Sequence, residues 1–186
     1  MTAAFVPLPE LDRLDDAACS EALAPLFEGA PRFLARLAAA RPFGDPEALI
    51  ARARKLAHAM PEDEQVELVD AHPRLGAPPG SVSALSFREQ GYGAEAADAA
   101  AEVERTRVAA ELERLNTAYE RRFGFRYCVF VEGRPRAALL PGFEAALGAD
   151  RDAELNRALD AVVDIAADRY RALTPGWGSG QGTLTS

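Results

Sequence analysis

VAAELERLNTAYERRFGFRYCVFVEG, residues 108 to 133, decides between an all-helical chain and a mixed one. Val108, Leu112, Leu115 and Tyr119 recur at steps of four, three and four, which is one apolar stripe on a helix and predicts a long helix from about residue 95 to 122. Phe123-Gly124-Phe125 then reads as a glycine C-cap between two core aromatics. RYCVFVEG, residues 126 to 133, is the one run with strand character. A single strand cannot satisfy its own backbone N–H and C=O groups, and no second run of similar quality is present to pair with it. The run is therefore expected to be a buried extended or irregular segment in an all-α domain.

Helical signals continue in both directions from this stretch. Asp45-Pro46-Glu47 puts a capping residue, a proline at the first helical position and an acid in the first turn ahead of ALIARARKLAHAM. Pro61 with Glu62, Asp63 and Glu64 repeats the device before Val66, Leu68 and Val69, so two helices follow each other almost without a loop. Residues 15 to 27 and 31 to 41 read as two shorter helices parted by Gly29-Ala30-Pro31. Leu155, Leu159, Val162 and Ile165 mark the last helix. The expected architecture is a single-domain helical bundle of about seven to eight helices over residues 1–174, followed by a flexible Gly/Ser-rich tail, 175–186.

The 186 residues suffice for one good core. A net charge of −8 argues against nucleic acid, whose binders gather Lys and Arg on one face. No apolar run approaches the roughly 20 residues a membrane span needs. The two cysteines, Cys19 and Cys128, are isolated and follow no disulfide or zinc spacing, and the N-terminus lacks the basic start and apolar core of a signal peptide. A cytoplasmic protein acting on a small molecule is expected.

Three stretches carry candidate chemistry. His72, in DAHPRLG at residues 70 to 76, ends a helix against a proline and a Gly/Pro loop. Such a histidine either hydrogen-bonds the last helical carbonyls or serves as a general acid or base near its ordinary pKa of ~6.5. Ser86-Phe87-Arg88-Glu89-Gln90 is a capping box by pattern, yet helical spacing also puts Ser86, Glu89 and Gln90 on one face, a set suited to a polar planar ligand. Arg126 opens an apolar run, either at a surface edge or partly buried and holding an anion. His58 and His72 stand fourteen positions apart on different elements, and Asp63, Glu64, Glu67 and Asp70 between them follow no metal-ligand spacing; those acids read as a solvated helix face and His58 as structural. No phosphate-binding loop or nucleophile elbow is present in the sequence.

Taken together, PLFEGAPRFLARL, RPFGDPEALI, AHPRLG, SFREQ, NTAYERRFGFRYCVFVEGR and the final helix resemble the 2-oxo-4-hydroxy-4-carboxy-5-ureidoimidazoline (OHCU) decarboxylases of urate breakdown, from about residue 9 to 173. The resemblance implies an all-helical, cofactor-free enzyme without a metal that releases carbon dioxide and delivers (S)-allantoin. It implies His72 and Glu89 as catalytic residues, and Ser86, Gln90 and Arg126 as substrate-binding. Backbone groups near Pro73 and within Tyr127, Cys128, Val129 and Phe130 join them. It also favours a homodimer. Two departures stand out: Gly91-Tyr92-Gly93-Ala94 replaces a small-residue turn, and residues 127–130 differ in size from the family run while staying apolar.

The chemistry fits the assignment. Losing carbon dioxide from a carbon that also bears a hydroxyl leaves electrons to be delocalised and then protonated. His72 would orient or deprotonate the hydroxyl, Glu89 would handle a second proton, and each such transfer is typically worth about 10²–10⁴-fold. Arg126 would neutralise developing negative charge. The alternative is a non-catalytic helical module that binds a ureide or a protein partner, with Tyr92 the residue that favours it. The final GTLTS resembles the opening of 5-hydroxyisourate hydrolases, so the tail is also readable as a linker toward such a partner domain.

Overall fold

A computed structural model describes residues 5–77 and 99–174. Among them are eight α-helices, one short 3-10 turn and no strand. In chain order these are α1 (Leu8–Leu11), α2 (Asp16–Leu23), the 3-10 turn (Ala24–Leu26), α3 (Pro31–Ala39), α4 (Pro46–Ala59), α5 (Glu62–Asp70), α6 (Ala99–Phe123), α7 (Arg136–Ala146) and α8 (Arg151–Leu173). None is long and apolar enough to cross a membrane.

Three helices, α2, α4 and α8, start at an aspartate whose side chain accepts otherwise unpaired backbone N–H groups. Asp15 accepts from the Ala18 amide at 2.8 Å, Asp45 from Ala48 at 2.7 Å, and Asp150 from Asp152 and Ala153 at 2.9 and 3.1 Å. Each such cap contributes about 1 kcal/mol. The helix expected over residues 15–27 ends earlier, at Leu23, and tightens into the 3-10 turn that contains Pro25. Proline has no N–H to continue the ladder, and Glu28 and Gly29, with φ of 51° and 78°, reverse the chain. Helix α7 is not marked by the sequence patterning, because Pro141 and Gly142 lie in its middle. Its buried Leu139, Phe143 and Ala146 nonetheless share one face.

The core forms around α8, which packs against α4, α5 and the 3-10 turn. Leu155, Leu159, Val162, Ile165, Ala166 and Tyr170 lie on its buried side. Burying each such large side chain stabilises the fold by ~1.5–3 kcal/mol. A second cluster centres on Tyr119 of α6, whose ring meets Phe123, Phe125, Tyr127 and Phe143 at centroid distances of 4.5 to 5.7 Å. Tyr127 stacks on Phe143 at 3.7 Å.

Helix α6 ends as its sequence dictates. Gly124 takes φ of 81° and its N–H donates to the Glu120 carbonyl at 2.9 Å, closing a left-handed cap. The run that follows has no regular structure over residues 126–131 and ends in a turn at Glu132 and Gly133, with φ of 53° and 69°, in line with the expected extended or irregular segment. Side chains from elsewhere satisfy its backbone instead. The Arg126 amide donates to Asp70 Oδ1 at 2.8 Å, and Arg157 of α8 donates to the Cys128 carbonyl at 2.9 Å.

The acids of α5 are not merely a solvated face. Asp63 and Glu67 pair with Arg32, and Glu64 with Arg36, so α3 and α5 are tied across their exposed sides. His58 has the structural role its sequence context suggests: its ring lies 3.0 Å from Asn156 Oδ1 and 3.0 Å from Asp160 Oδ1, joining α4 to α8.

Candidate active site

The C-terminal end of α5 delivers His72. Helical hydrogen bonding runs out at Asp70, the His72 amide bonds back to the Val69 carbonyl at 3.1 Å, and Pro73 forbids another turn. The ring is therefore carried inward off the helix end, and the residue is 4% exposed. Gly76 closes the turn with φ of 83°, and a Cβ at that position would come within 2.8 Å of Leu112 Cδ1. Asn116 of α6 donates to the Leu75 carbonyl at 2.9 Å. The H-P-x-L-G stretch is thus held against α6 by the Asn116 bond, by the close approach at Gly76, and by Arg74, which donates to Glu120 at 2.7 Å and to Glu113 at 3.3 Å.

His72 Nδ1 lies 3.4 Å from the Leu68 carbonyl. A carbonyl only accepts, so Nδ1 carries the proton, and in the neutral ring Nε2 is left as the acceptor. Nε2 is buried and has no hydrogen-bond partner among the described residues. Burial pushes the His72 pKa down to about 4, and the nearby Arg169 guanidinium adds to the effect against the opposing pull of Glu28. The imidazole is neutral at pH 7 and keeps its lone pair available.

A cavity of about 330 Å³ adjoins this ring. His72, Pro73 and Leu75 form one wall, the run from Tyr127 to Gly133 forms another, and Ile165 and Asp168 of α8 close it. Six of the residues read from the sequence therefore meet around one space: His72, Pro73, Tyr127, Cys128, Val129 and Phe130. Arg126 is placed differently. Its guanidinium donates to the Asp70 carbonyl at 2.7 Å and the His72 carbonyl at 3.0 Å, and it lines a neighbouring cavity of about 330 Å³ with Pro73, Leu112 and Asn116. Ser86, Glu89, Gln90 and Tyr92 lie outside the described residues.

Sequence reading missed Arg169. It is 1% exposed on α8 and donates to the carbonyls of Pro25 at 3.2 Å and Leu26 at 3.4 Å and to Glu28 Oε1 at 2.6 Å. The available signal was its register, four after Ile165 and seven after Val162, which puts a charge on a buried stripe. Also missed was the group behind residues 127–130. Tyr119 donates to Glu154 at 2.7 Å, Glu154 pairs with Arg157 at 2.9 Å, and Arg157 sits 4.8 Å from the Tyr127 ring centroid.

Comparison with known proteins resolves what this arrangement belongs to. The family model described as OHCU decarboxylase matches residues 12–171. The chain belongs to the OHCU decarboxylase family. Among curated OHCU decarboxylase relatives, the 2-oxo-4-hydroxy-4-carboxy-5-ureidoimidazoline decarboxylase of Haloferax volcanii is 29% identical over 161 residues, which is 86% of this chain and 90% of that protein. The uric acid degradation bifunctional protein PucL of Bacillus subtilis is 29% identical over 164 residues, 88% of this chain but 31% of that longer protein. Two solved structures share the fold. An OHCU decarboxylase crystallised in the presence of (S)-allantoin has a TM-score of 0.61 at 21% identity, over 83% of this chain and 96% of that one. An (S)-allantoin synthase has a TM-score of 0.60 at 20% identity, over 90% of this chain and 54% of that one.

Proposed function

We propose that this chain is a carboxy-lyase that converts OHCU to (S)-allantoin in urate degradation, with the cavity beside His72 as its active site. Membership of the OHCU decarboxylase family supports the reaction. The observation that carries the site is a buried, neutral His72 whose Nε2 lone pair has no hydrogen-bond partner among the described residues, next to a cavity walled by residues 127–133. A neutral imidazole accepts the proton of the substrate hydroxyl; an imidazolium would not. Glu89 is the second catalytic group in this reading and handles the other proton.

Substrate contacts in this reading come from Ser86, Gln90 and Arg126, together with backbone groups of Pro73 and residues 127–130. Arg126 also grips the turn that carries His72, its guanidinium donating to the His72 carbonyl at 3.0 Å. Protonation from one side of a walled cavity yields one enantiomer. No metal or organic cofactor has a role in this scheme.

We further propose a cytoplasmic homodimer that receives its substrate from a hydroxyisourate hydrolase. Cys19 and Cys128, which follow no disulfide or zinc spacing in the sequence, fit a reducing compartment. The dimer rests on family resemblance.

The test generates OHCU from urate in situ with added hydrolase and follows optically active allantoin by circular dichroism. Rapid appearance of one enantiomer, abolished in His72→Ala with helical content intact, is the expected result. Slow racemic decay with folded wild-type protein present would refute the assignment.

A further inference from the structure

The wall of the cavity opposite His72 is a run without regular structure and, among the described residues, with no strand beside it, so something else must fix the orientation of its peptide groups. Cys128 is 4% exposed and its carbonyl accepts from Arg157 Nη1 at 2.9 Å. The same guanidinium reaches Glu154 through Nε and Nη2 at 2.9 to 3.1 Å, and Glu154 in turn accepts from the Tyr119 hydroxyl at 2.7 Å. Its plane lies over the Tyr127 ring at 4.8 Å. One arginine is thus fixed on three sides, by a buried carboxylate, an aromatic face and a main-chain oxygen. Its rotamer is set before any ligand arrives.

A trans peptide is planar, with its C=O and the next N–H pointing in opposite directions. Holding the Cys128 carbonyl toward α8 therefore turns the Val129 N–H away from α8. Val129 lines the cavity, and no described residue accepts from that N–H. A fixed N–H at the edge of a largely apolar space is a donor for the oxygen on which charge collects as a carboxylate leaves.

We propose that Arg157 is a positioning residue for the reaction: from α8 it sets the Cys128–Val129 peptide plane so that the Val129 N–H is presented to the substrate. This role rests on the functional reading above. Arg157 itself touches no substrate in this scheme and acts through the main chain.

The distinguishing measurement is steady-state kinetics of Arg157→Met and Arg157→Lys beside wild type, each normalised to folded protein by circular dichroism and thermal unfolding. A donor that matters in the transition state lowers kcat while leaving KM nearly unchanged. The expected loss in Arg157→Met is about 10- to 100-fold in kcat. Lysine keeps the charge beside Glu154 but lacks the fork that serves Glu154 and the Cys128 carbonyl together, so Arg157→Lys should fall between the two.

If Arg157→Met does not fold because Glu154 is left unpaired, the double variant Arg157→Met/Glu154→Gln removes that charge and takes its place in the comparison. A folded variant whose kcat stays within about threefold of wild type overturns the proposal, because a merely structural arginine shifts stability and not kcat per folded molecule. Wild-type protein that shows no turnover would instead overturn the functional reading, and the positioning role with it.

Discussion

At the scale of the residue, His72 couples stability to pH in a predictable direction. Its folded-state pKa of about 4 lies below the ordinary value of 6.5. Between those two pH values the unfolded chain binds the proton and the folded chain does not, so stability falls as pH drops from about 6.5 to about 4 and is insensitive to this group above that window. The loss approaches about 3 kcal/mol. Urea unfolding across this range should show it in wild type and not in His72→Phe. Gly76 offers a second residue-scale test. Its φ of 83° disfavours any side chain, and a Cβ would press on Leu112. Gly76→Ala should cost about 1–2 kcal/mol by chemical denaturation, and because this glycine closes the turn that carries His72, turnover should fall as well. Both features were partly legible in the sequence: the glycine four after a histidine marks a turn. That the ring is buried and neutral is a matter of what surrounds it, which no local pattern states.

At the scale of the element, α8 links the site to the rest of the molecule. Arg169 at one end joins α8 to the segment 25–28, and Arg157 nearer its start holds residues 127–130. Arg169→Met leaves Glu28 and two backbone carbonyls short of a buried donor, which should destabilise the protein by about 3–5 kcal/mol in urea titrations. The same substitution removes a positive charge near His72, so the histidine pKa should rise toward its ordinary value in an NMR titration. Tyr119→Phe is a milder probe. It removes a hydrogen bond to a buried carboxylate and keeps the ring, so a loss of about 1.5–3 kcal/mol is expected without collapse of the aromatic cluster. The helix itself was readable from Leu155, Leu159, Val162 and Ile165. Its two working arginines were not, because periodicity shows that a position faces inward but not which partner waits there.

At the scale of the whole molecule, the net charge of −8 opposes the approach of an anionic substrate. Salt screens that repulsion over a Debye length of about 8–10 Å at physiological strength. Raising ionic strength from very low values should therefore increase kcat/KM modestly; a decrease would mean that local arginines such as Arg126 and Arg169 dominate the field at the cavity mouth. The helical class follows from the same global view. Among the described residues the one run with strand character has no second strand beside it, and its backbone is met instead by Asp70 of α5 and Arg157 of α8.

The sequence by itself determined that the domain is all-α, where most helices begin, that residues 126–133 would be an extended or irregular segment outside any sheet, and that His72, Pro73 and residues 127–130 were worth watching. Those properties are local: caps, prolines, glycines and helical periodicity act over a few residues, and a motif is read in order along the chain. Only the tertiary structure decided that the end of α5 and the run after α6 wall the same cavity, that His72 is neutral there, that Arg126 grips the turn beside it, and that Arg157 and Arg169 support the site from α8. Those properties depend on desolvation and on partners up to 144 residues apart in sequence, which arise only when the helices pack.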